Sequence, residues 1–143
     1  RDARRDKARQ DGMIVVDSSV WIAYFRAMDT AATRFLRMSG QEHLILVGDL
    51  VLLELLQGAR DDQHARFIEA RLRRFSIQPM VDADLAVAAA RNYRLLREKG
   101  LTIRKTIDLI IGTYCIRNGY GLLHDDGDFS AMAQHLGLRI VTP

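Results

Sequence analysis

Four acidic residues occupy positions at which a charged side chain requires a structural or functional explanation. Asp17 and Asp126 each follow an apolar run that predicts a β-strand, Glu54 interrupts an otherwise apolar stretch, and Asp108 lies in the first turn of a predicted helix. Carboxylates brought together repel one another unless a cation neutralises them. Oxygen ligands favour Mg²⁺ or Mn²⁺, ions that activate water and stabilise negative charge on a phosphoryl group.

Each of these acids also has an ordinary structural explanation. Asp17 is a suitable N-cap for the helix that follows it, and Asp108 suits the positive end of a helix dipole. The acids around Asp126 could form a solvated turn. Glu54 is harder to explain in this way, because a lone carboxylate among leucines is costly to desolvate unless it is paired. Together the four acids favour a metal site that acts on a phosphate-containing substrate.

Strand-like and helix-like segments alternate along the chain, which favours a mainly parallel sheet covered by helices on both faces. Apolar runs predict strands at 13–16, 44–47, 76–80, 120–123 and 139–141. Helical spacing and cap residues predict a helix after Asp17, a short helix before the last strand, and helices at 30–39, 49–57, 61–75, 82–99 and 106–118. Ligands of such sheets bind beyond the carboxyl ends of the strands, where Asp17 and Asp126 are expected.

The predicted helix 106–118 carries Asp108, Gly112 and Cys115 on one face. The two small residues are expected to leave room for a ligand beside the carboxylate. Cys115 itself is expected to be a buried small residue. Thr106 is the predicted N-cap of this helix, and Gly40 is the predicted C-cap of the helix at 30–39.

Composition indicates one compact domain. The chain has 143 residues, 48% of them hydrophobic and 27% charged, with one cysteine and a net charge of +3. One cysteine excludes an internal disulfide framework and a zinc site built on paired cysteines, which favours a reducing, cytoplasmic setting. No apolar run approaches the roughly 18 residues of a membrane span. Residues 1–12 hold five bases and three acids and read as a disordered or artificially added extension, which leaves 13–143 as the domain.

Four stretches, in this order, resemble the PIN domain of VapC toxins: MIVVDSSVWI at 13–22, LELLQG at 53–58, IDLII at 107–111 and LLHDDGDF at 122–129. The resemblance spans 13–141. It implies a three-layer α/β/α fold with about four to five strands. It also implies a metal-dependent endoribonuclease, the toxin of a type II toxin–antitoxin pair.

The resemblance also implies roles for individual residues. Asp17, Glu54, Asp108 and Asp126 correspond to an acidic quartet that holds Mg²⁺ or Mn²⁺, with Asp17 and Asp108 as the direct ligands. Asp126 corresponds because it lies two residues before the pair Asp128 and Phe129. Two further residues complete the implied site: the secondary acid Asp128, and Ser19 as a small polar residue near the metal. A water deprotonated by Asp126 or Glu54 would attack an RNA phosphodiester.

The implied partners are RNA, a cognate VapB-like antitoxin and a second copy of the chain, with DNA contacted only through the antitoxin. Such an antitoxin typically inserts a segment, often with an arginine, into the acidic site. Arg104 and Lys105, just before Asp108, are candidates for binding RNA at the rim. Trp21, Tyr24 and Phe25 are expected mainly in the core, although this face could also form a dimer contact or an antitoxin groove.

Two other classes of function stay open. A phospho-receiver-like signalling domain also places acids at strand ends and binds Mg²⁺. Such a domain would leave Glu54 without a role, and it needs a lysine after the fourth or fifth strand, where this sequence has none in the expected place. A catalytically silent PIN-like domain would only bind RNA or protein. The presence of all four acids argues against it.

Overall fold

The computed structural model of this chain describes residues 12–38 and 42–143. Within them lies one sheet of five strands: β1 Ile14–Val16, β2 Ile45–Gly48, β3 Ser76–Gln78, β4 Gly121–Leu123 and β5 Arg139–Ile140. The strand order is β3-β2-β1-β4-β5, and every neighbouring pair is parallel. The prediction of a mainly parallel sheet of four to five strands is confirmed.

Helices cover both faces of the sheet. The described residues contain α1 Ser18–Phe25, α2 Ala31–Arg37, α3 Asp49–Gln57, α4 Asp62–Leu72, α5 Ala83–Glu98, α6 Thr106–Asn118 and α7 Ser130–Leu136. Helix α1 packs on α2 and α3, and α3 packs on α4, whereas α5 packs on α6 and α7. These two groups are the outer layers of the predicted three-layer α/β/α fold, which is confirmed. None of the helices described is long and apolar enough to cross a membrane.

Burial on both faces of the sheet explains why the sequences of the three central strands are continuous apolar runs. Every residue of β1, β2 and β4 is buried, since a parallel strand between two helical layers has no solvent face. The edge strands β3 and β5 are partly exposed, which accounts for the weak apolar pattern of β3. Trp21 is fully buried, as expected, whereas Tyr24 and Phe25 are only half-buried. Each fully buried Val or Leu contributes roughly 1.5–3 kcal/mol to folding.

Element boundaries differ from the predicted ones mainly at helix ends. Helix α6 begins at Thr106 with Lys105 in the N-cap position and no side-chain cap, so the expectation that Thr106 is the N-cap is wrong. Short 3₁₀ turns at Glu42–Leu44 and Gly127–Phe129 were not predicted. The predicted C-cap Gly40 and most of the predicted extension, 1–11, lie outside the described residues.

The strand order brings two chain segments together beside β1. The chain runs from β1 outward to β3, and then returns to β4 on the other side of β1. Val16 pairs with Leu123, and the backbone N–H of Asp17 donates to the carbonyl of Leu123 at 2.9 Å. The crevice beyond the carboxyl ends of β1 and β4 is therefore the switch point at which ligands of such sheets bind.

Candidate metal centre

Asp17 lies at this switch point as the N-cap of α1. Its Oδ2 accepts hydrogen bonds from the backbone N–H of Ser19 at 3.1 Å and from the Ser19 hydroxyl at 2.6 Å. Only 2% of the residue is exposed, and its Oδ1 is buried without a hydrogen-bond partner among the residues described. The interpretation of Asp17 as a helix cap is correct, but it accounts for only one of the two carboxylate oxygens.

Asp108 is the second buried acid. It lies in the first turn of α6, is 3% exposed, and has a buried Oδ2 with no partner in the described part of the chain. Burial, followed by the negative charges of Asp17 and Asp126, raises the pKa of Asp108 to about 7. A carboxylate oxygen that is desolvated and unpaired is costly, so a cation at this position would stabilise it.

Asp126 and Asp128 complete an acidic cluster with Asp108. One carboxylate oxygen from each of the three lies within 4.8 Å of the other two. The Oδ1 of Asp126 accepts from the backbone N–H of Asp128 at 3.0 Å, which fixes the turn at Gly127–Phe129. The backbone N–H of Asp126 donates to Nδ1 of His124 at 3.1 Å. Asp128, expected as a secondary acid, therefore belongs to the same cluster as Asp126, within 4.8 Å of an Asp108 oxygen.

Glu54 approaches the same crevice from α3. Its Oε1 accepts from the Ser18 hydroxyl at 3.2 Å, across 36 residues of sequence. Burial raises the pKa of Glu54, and the charge of Asp17 raises it further, whereas the Ser18 hydrogen bond and Lys105 lower it. Glu54 and Asp17 are outside the group of three but share its electrostatic field, since both raise the pKa of Asp108.

Ser19 connects the two sides of the crevice. Its hydroxyl donates to Asp17 and accepts from the backbone N–H of Asp125 at 3.1 Å, which ties α1 to the loop after β4. The side chain of Asp125 is exposed. Ser19 therefore lies beside the acidic site; its role as a small polar residue near a metal, which the family resemblance implies, stays a prediction.

The two basic candidates differ in their surroundings. The charge of Lys105 lowers the pKa of both Glu54 and Asp108, so its ammonium group lies within electrostatic reach of the acids. Arg104 is exposed and does not contribute to the pKa of either acid. The structure thus brings Lys105 to the site and leaves Arg104 on the surface next to it.

One expectation about α6 is wrong. Gly112 and Cys115 were expected to leave room for a ligand beside Asp108, but a Cβ at Gly112 would lie 2.5 Å from Sδ and Cε of Met132. Cys115 is fully buried, as predicted, and burial raises the pKa of its thiol. The small residues therefore admit the Met132 side chain from α7, because close helix packing needs the space.

Sequence reasoning missed two side chains of the site. Ser18 is not among the residues that the sequence assigns to the site, although its hydroxyl contacts Glu54. His124 is also not assigned to the site by the sequence, although it is half-buried, accepts from the backbone N–H of Asp126, and has its ring centroid 5.0 Å from that of Phe129. Ser18 adjoins Asp17 and His124 precedes the acidic run in sequence, but neither position indicates a contact.

The donor set suits a hard divalent cation. The side chains that face the crevice present carboxylate and hydroxyl oxygens, and two buried carboxylate oxygens have no partner among the described atoms. Mg²⁺ and Mn²⁺ are bound by such oxygens, whereas structural zinc sites use cysteine and histidine. Asp17, Asp108, Asp126 and Asp128 could therefore hold a divalent ion, with Glu54 beside it.

Comparison with known proteins finds one family over most of the chain. Residues 14–135 match the model of the PIN domain. A VapC ribonuclease of Mycobacterium bovis is 33% identical over 132 residues, which cover 89% of this chain and 96% of that protein. Ribonuclease VapC11 of Mycobacterium tuberculosis has the same identity and coverage.

Solved structures share the fold. The crystal structure of VapBC2 from Rickettsia felis, bound to a DNA fragment from its promoter, matches with a TM-score of 0.73 and 16% identity. The match covers 90% of this chain and 97% of that one. Mycobacterium tuberculosis VapC20, described as a sarcin–ricin loop cleaving toxin, matches with a TM-score of 0.66 and 25% identity over 91% of this chain and 99% of that one.

Proposed function

Because this chain belongs to the PIN-domain family and, within it, to the VapC proteins, we propose that it is a Mg²⁺- or Mn²⁺-dependent endoribonuclease that acts as the toxin of a toxin–antitoxin pair. The observation that carries the proposal is the pair of buried, unpartnered oxygens on Asp17 and Asp108 at the switch point of the sheet. Relatives at 33% identity are named ribonucleases, which supports RNA as the substrate.

In this proposal the acids have separate roles. Asp17 and Asp108 are direct ligands of the cation, and Asp126 and Asp128 complete its oxygen shell. When bound, the cation supplies a Lewis acid that stabilises the negative charge developing on the phosphoryl group. Asp126 is fixed for this role by the two hydrogen bonds that it makes with the backbone of Asp128 and with His124.

Glu54 is the side chain proposed to accept the proton of the attacking water. Its raised pKa makes it a better base at neutral pH than an ordinary carboxylate. The Ser18 hydroxyl holds Oε1 in place. Asp126, the other candidate base, is better suited to the cluster with Asp108 and Asp128, since one of its carboxylate oxygens lies within that group.

The charge distribution supports RNA entry past Lys105. This side chain is close enough to affect the pKa of Glu54 and Asp108, and it is exposed. A phosphate in the crevice would therefore meet a cation at its rim, and Arg104 would add a second positive charge further out. Both residues attract the phosphates of RNA, and the proposal assigns neither of them a contact with a base.

The partners follow from the same premise. Solved relatives include complexes of VapB and VapC proteins, which supports a VapB-like antitoxin for this chain. An acidic crevice with unpartnered oxygens suits a basic side chain inserted by such an antitoxin. We further propose a domain spanning 13–143, a homodimeric toxin, DNA binding only through the antitoxin, and a cytoplasmic setting.

The phospho-receiver interpretation is disfavoured by topology. The strand order is β3-β2-β1-β4-β5, whereas receiver domains have the order 2-1-3-4-5. The catalytically silent interpretation would leave the unpartnered oxygens of Asp17 and Asp108 without a function. Growth and RNA-cleavage measurements distinguish a catalytically silent protein from a nuclease.

The test compares growth arrest and RNA cleavage in wild type, Asp17→Asn and Asp82→Asn. Asp82 is the matched control, because it is also an N-cap aspartate whose side chain accepts a backbone N–H, but on α5. Asparagine keeps the cap at both positions and removes the charge.

We expect wild type and Asp82→Asn to arrest growth and to cut cellular RNA with Mg²⁺ or Mn²⁺. Asp17→Asn, or EDTA, should lower the cleavage rate by about 100-fold or more, since several kcal/mol of charge stabilisation are lost. Persistent cleavage in Asp17→Asn would refute the acidic mechanism. Absence of cleavage in wild type would favour the catalytically silent interpretation, in which the protein only binds RNA or protein.

A further inference from the structure

A cavity of about 500 Å³ opens directly beside the metal centre, between α1, α3 and α4. Glu54 forms part of its wall and so belongs both to the cavity and to the acidic crevice. The volume falls within the range of pockets that bind small ligands. None of the roles proposed above uses this cavity.

Helix geometry explains why the cavity is continuous with the acidic crevice. Ser18 and Glu54 meet through a hydrogen bond at the crevice. One helical turn further on, Ile22 of α1 and Gly58 after α3 line the cavity, since residues four apart share a helix face. A chain bound at the crevice could therefore continue between these two helices without turning.

The inner surface of the cavity is apolar. Phe25 and Ile22 of α1 face Leu55 of α3 and Ile68 of α4. Ile22 is partly exposed and Phe25 is half-buried, so apolar surface remains accessible there. A flat aromatic ring is the kind of group that such a surface binds, by stacking on a phenyl side chain.

The rim of the cavity is cationic. Arg26 and Arg60 line it, and within the described residues neither guanidinium has a hydrogen-bond or ion-pair partner. His64 also lines the cavity, with Nδ1 accepting from the backbone N–H of Arg60 at 3.1 Å. That contact leaves Nε2 as the ring nitrogen that can donate to a ligand. The rim therefore offers donors and positive charge to an anion.

We propose that this cavity binds one unpaired nucleotide of the RNA substrate, next to the phosphodiester that is cut. The base stacks on Phe25 within the apolar part, and its phosphate contacts Arg26 and Arg60. The inference rests on the proposed function, because it takes the acidic crevice as the place of cleavage. It specifies single-stranded or looped RNA, since a paired base is not free to enter a pocket.

Charge favours RNA over a protein segment as the occupant. Where the acids hold a cation, an anionic chain would find positive charge at the crevice and again at the guanidinium groups of the rim. A protein segment inserting a basic side chain at the acids would meet like charge at Arg26 and Arg60. Antitoxin binding in the cavity is the alternative that the test must exclude.

The first experiment measures binding without cleavage. A short fluorescent single-stranded RNA is titrated with the full chain in EDTA, and anisotropy gives the dissociation constant for wild type, Arg60→Ala, Arg60→Lys and Arg66→Ala. Arg66 is the matched control, an exposed arginine on α4 that does not line the cavity. A duplex of the same sequence is titrated in parallel.

We expect Arg60→Ala to weaken single-strand binding by about 10-fold or more, the size of one lost charged hydrogen bond. It should also reduce the slope of log affinity against log salt by about 0.7. Arg60→Lys should restore most of both, because one phosphate contact needs charge more than geometry. Arg66→Ala should bind as wild type, and duplex affinity should not respond to Arg60.

A second pair of variants tests the volume of the cavity. Gly58 has φ −85° and ψ 0°, a right-handed helical backbone that any residue adopts, and a Cβ there would meet only carbonyl oxygens of its own helix at 3.6 and 3.7 Å. Gly58→Ala should therefore fold, and it should weaken RNA binding less than a larger side chain at the same position. Gly58→Leu should fold, since its side chain can extend into the cavity, but should weaken binding by at least about fivefold through lost stacking.

The outcomes separate this inference from the proposed function. If Arg60→Ala and Gly58→Leu bind single-stranded RNA as wild type does, the inference is overturned, even where Asp17→Asn abolishes cleavage. It is also overturned if these variants lose binding to a co-expressed antitoxin but keep RNA. If wild type binds RNA through the cavity yet never cleaves it, the cavity is an RNA-binding site but the nuclease proposal fails, and with it the placement of this nucleotide beside a cleaved bond.

Discussion

Ser19 and Asp17 are joined by two hydrogen bonds to a single oxygen, because the backbone N–H and the hydroxyl of Ser19 both donate to Oδ2. The two distances are 3.1 and 2.6 Å. The arrangement leaves Oδ1 buried and without a partner among the residues described. Ser19 therefore orients the Asp17 carboxylate toward the crevice, which is how a positioning residue supports a metal ligand.

Ser19→Ala should therefore weaken cation binding while the fold is retained. Loss of such a supporting hydrogen bond typically costs about 10-fold in metal affinity. The measurement is the Mg²⁺ concentration that gives half-maximal RNA cleavage, together with Mn²⁺ affinity from calorimetry. We expect both to shift in Ser19→Ala, with part of the activity restored at high Mg²⁺. Ser130→Ala, an exposed serine at the start of α7, is the control and should not change either.

Asp108 should make the stability of the metal-free protein depend on pH. Its pKa is about 7 in the folded chain, against an ordinary value of 3.8, so the protonated form stabilises the fold fully below about pH 4. That stability is lost as the pH rises through about 7, because the buried carboxylate becomes charged. In EDTA, Tm should therefore be lower at pH 8 than at about pH 5, since these two pH values lie on either side of the folded-state pKa.

Asp108→Asn should remove much of that fall, since the amide has no charge to bury. Adding Mg²⁺ at the higher pH should raise Tm in wild type by mass action and have little effect on Asp108→Asn. Asp82→Asn is the control that keeps an aspartate at 108 and should retain the pH dependence. A wild-type Tm that stays level across this pH range would contradict the assignment of Asp108 as a desolvated acid.

The acidic crevice was predictable to the extent that it depends on strand ends. Alternation of strands and helices places the residues after β1 and β4 at one edge, so Asp17 and Asp126 could be expected there. The predicted ends of α3 and α6, at 57 and 118, agree with the structure because the glycine that follows each helix is a local signal.

Packing between distant segments was not predictable. Helical spacing shows that Gly112 and Cys115 share a face with Asp108, but it does not show which element covers that face, and Met132 covers it. The same holds for Ser18 and Glu54, whose contact depends on how α1 packs on α3. These contacts form in the tertiary structure, and a single sequence carries no periodic signal for them.

Ser18→Ala should shift the pH dependence of cleavage. The Ser18 hydroxyl lowers the pKa of Glu54 by donating to its carboxylate. Removing it should raise that pKa, so a reaction that needs the ionised base should reach half its maximal rate at a higher pH. The acidic limb of kcat against pH should move upward relative to wild type, with Ser130→Ala as the control. An unmoved limb would exclude Glu54 as the base.

Gly112→Ala tests whether the small residues on α6 make room for the Met132 side chain or for a ligand beside Asp108. A Cβ there would lie 2.5 Å from Sδ and Cε of Met132, so the thioether must shift within the core. Overpacking of this kind costs about 1–3 kcal/mol, which calorimetry would detect as a lower Tm. Because Met132 rather than a ligand occupies the space, Mn²⁺ affinity should stay close to that of wild type.

A double variant completes this test. Met132→Ala alone should destabilise the protein by about 2–5 kcal/mol through the cavity that it creates. Adding Gly112→Ala to it should cost less than the sum of the two changes, because the new methyl group fills part of that cavity. If Gly112→Ala instead weakened Mn²⁺ binding and left Tm unchanged, the face would belong to the cation site, and the packing against Met132 would not be the reason for the glycine.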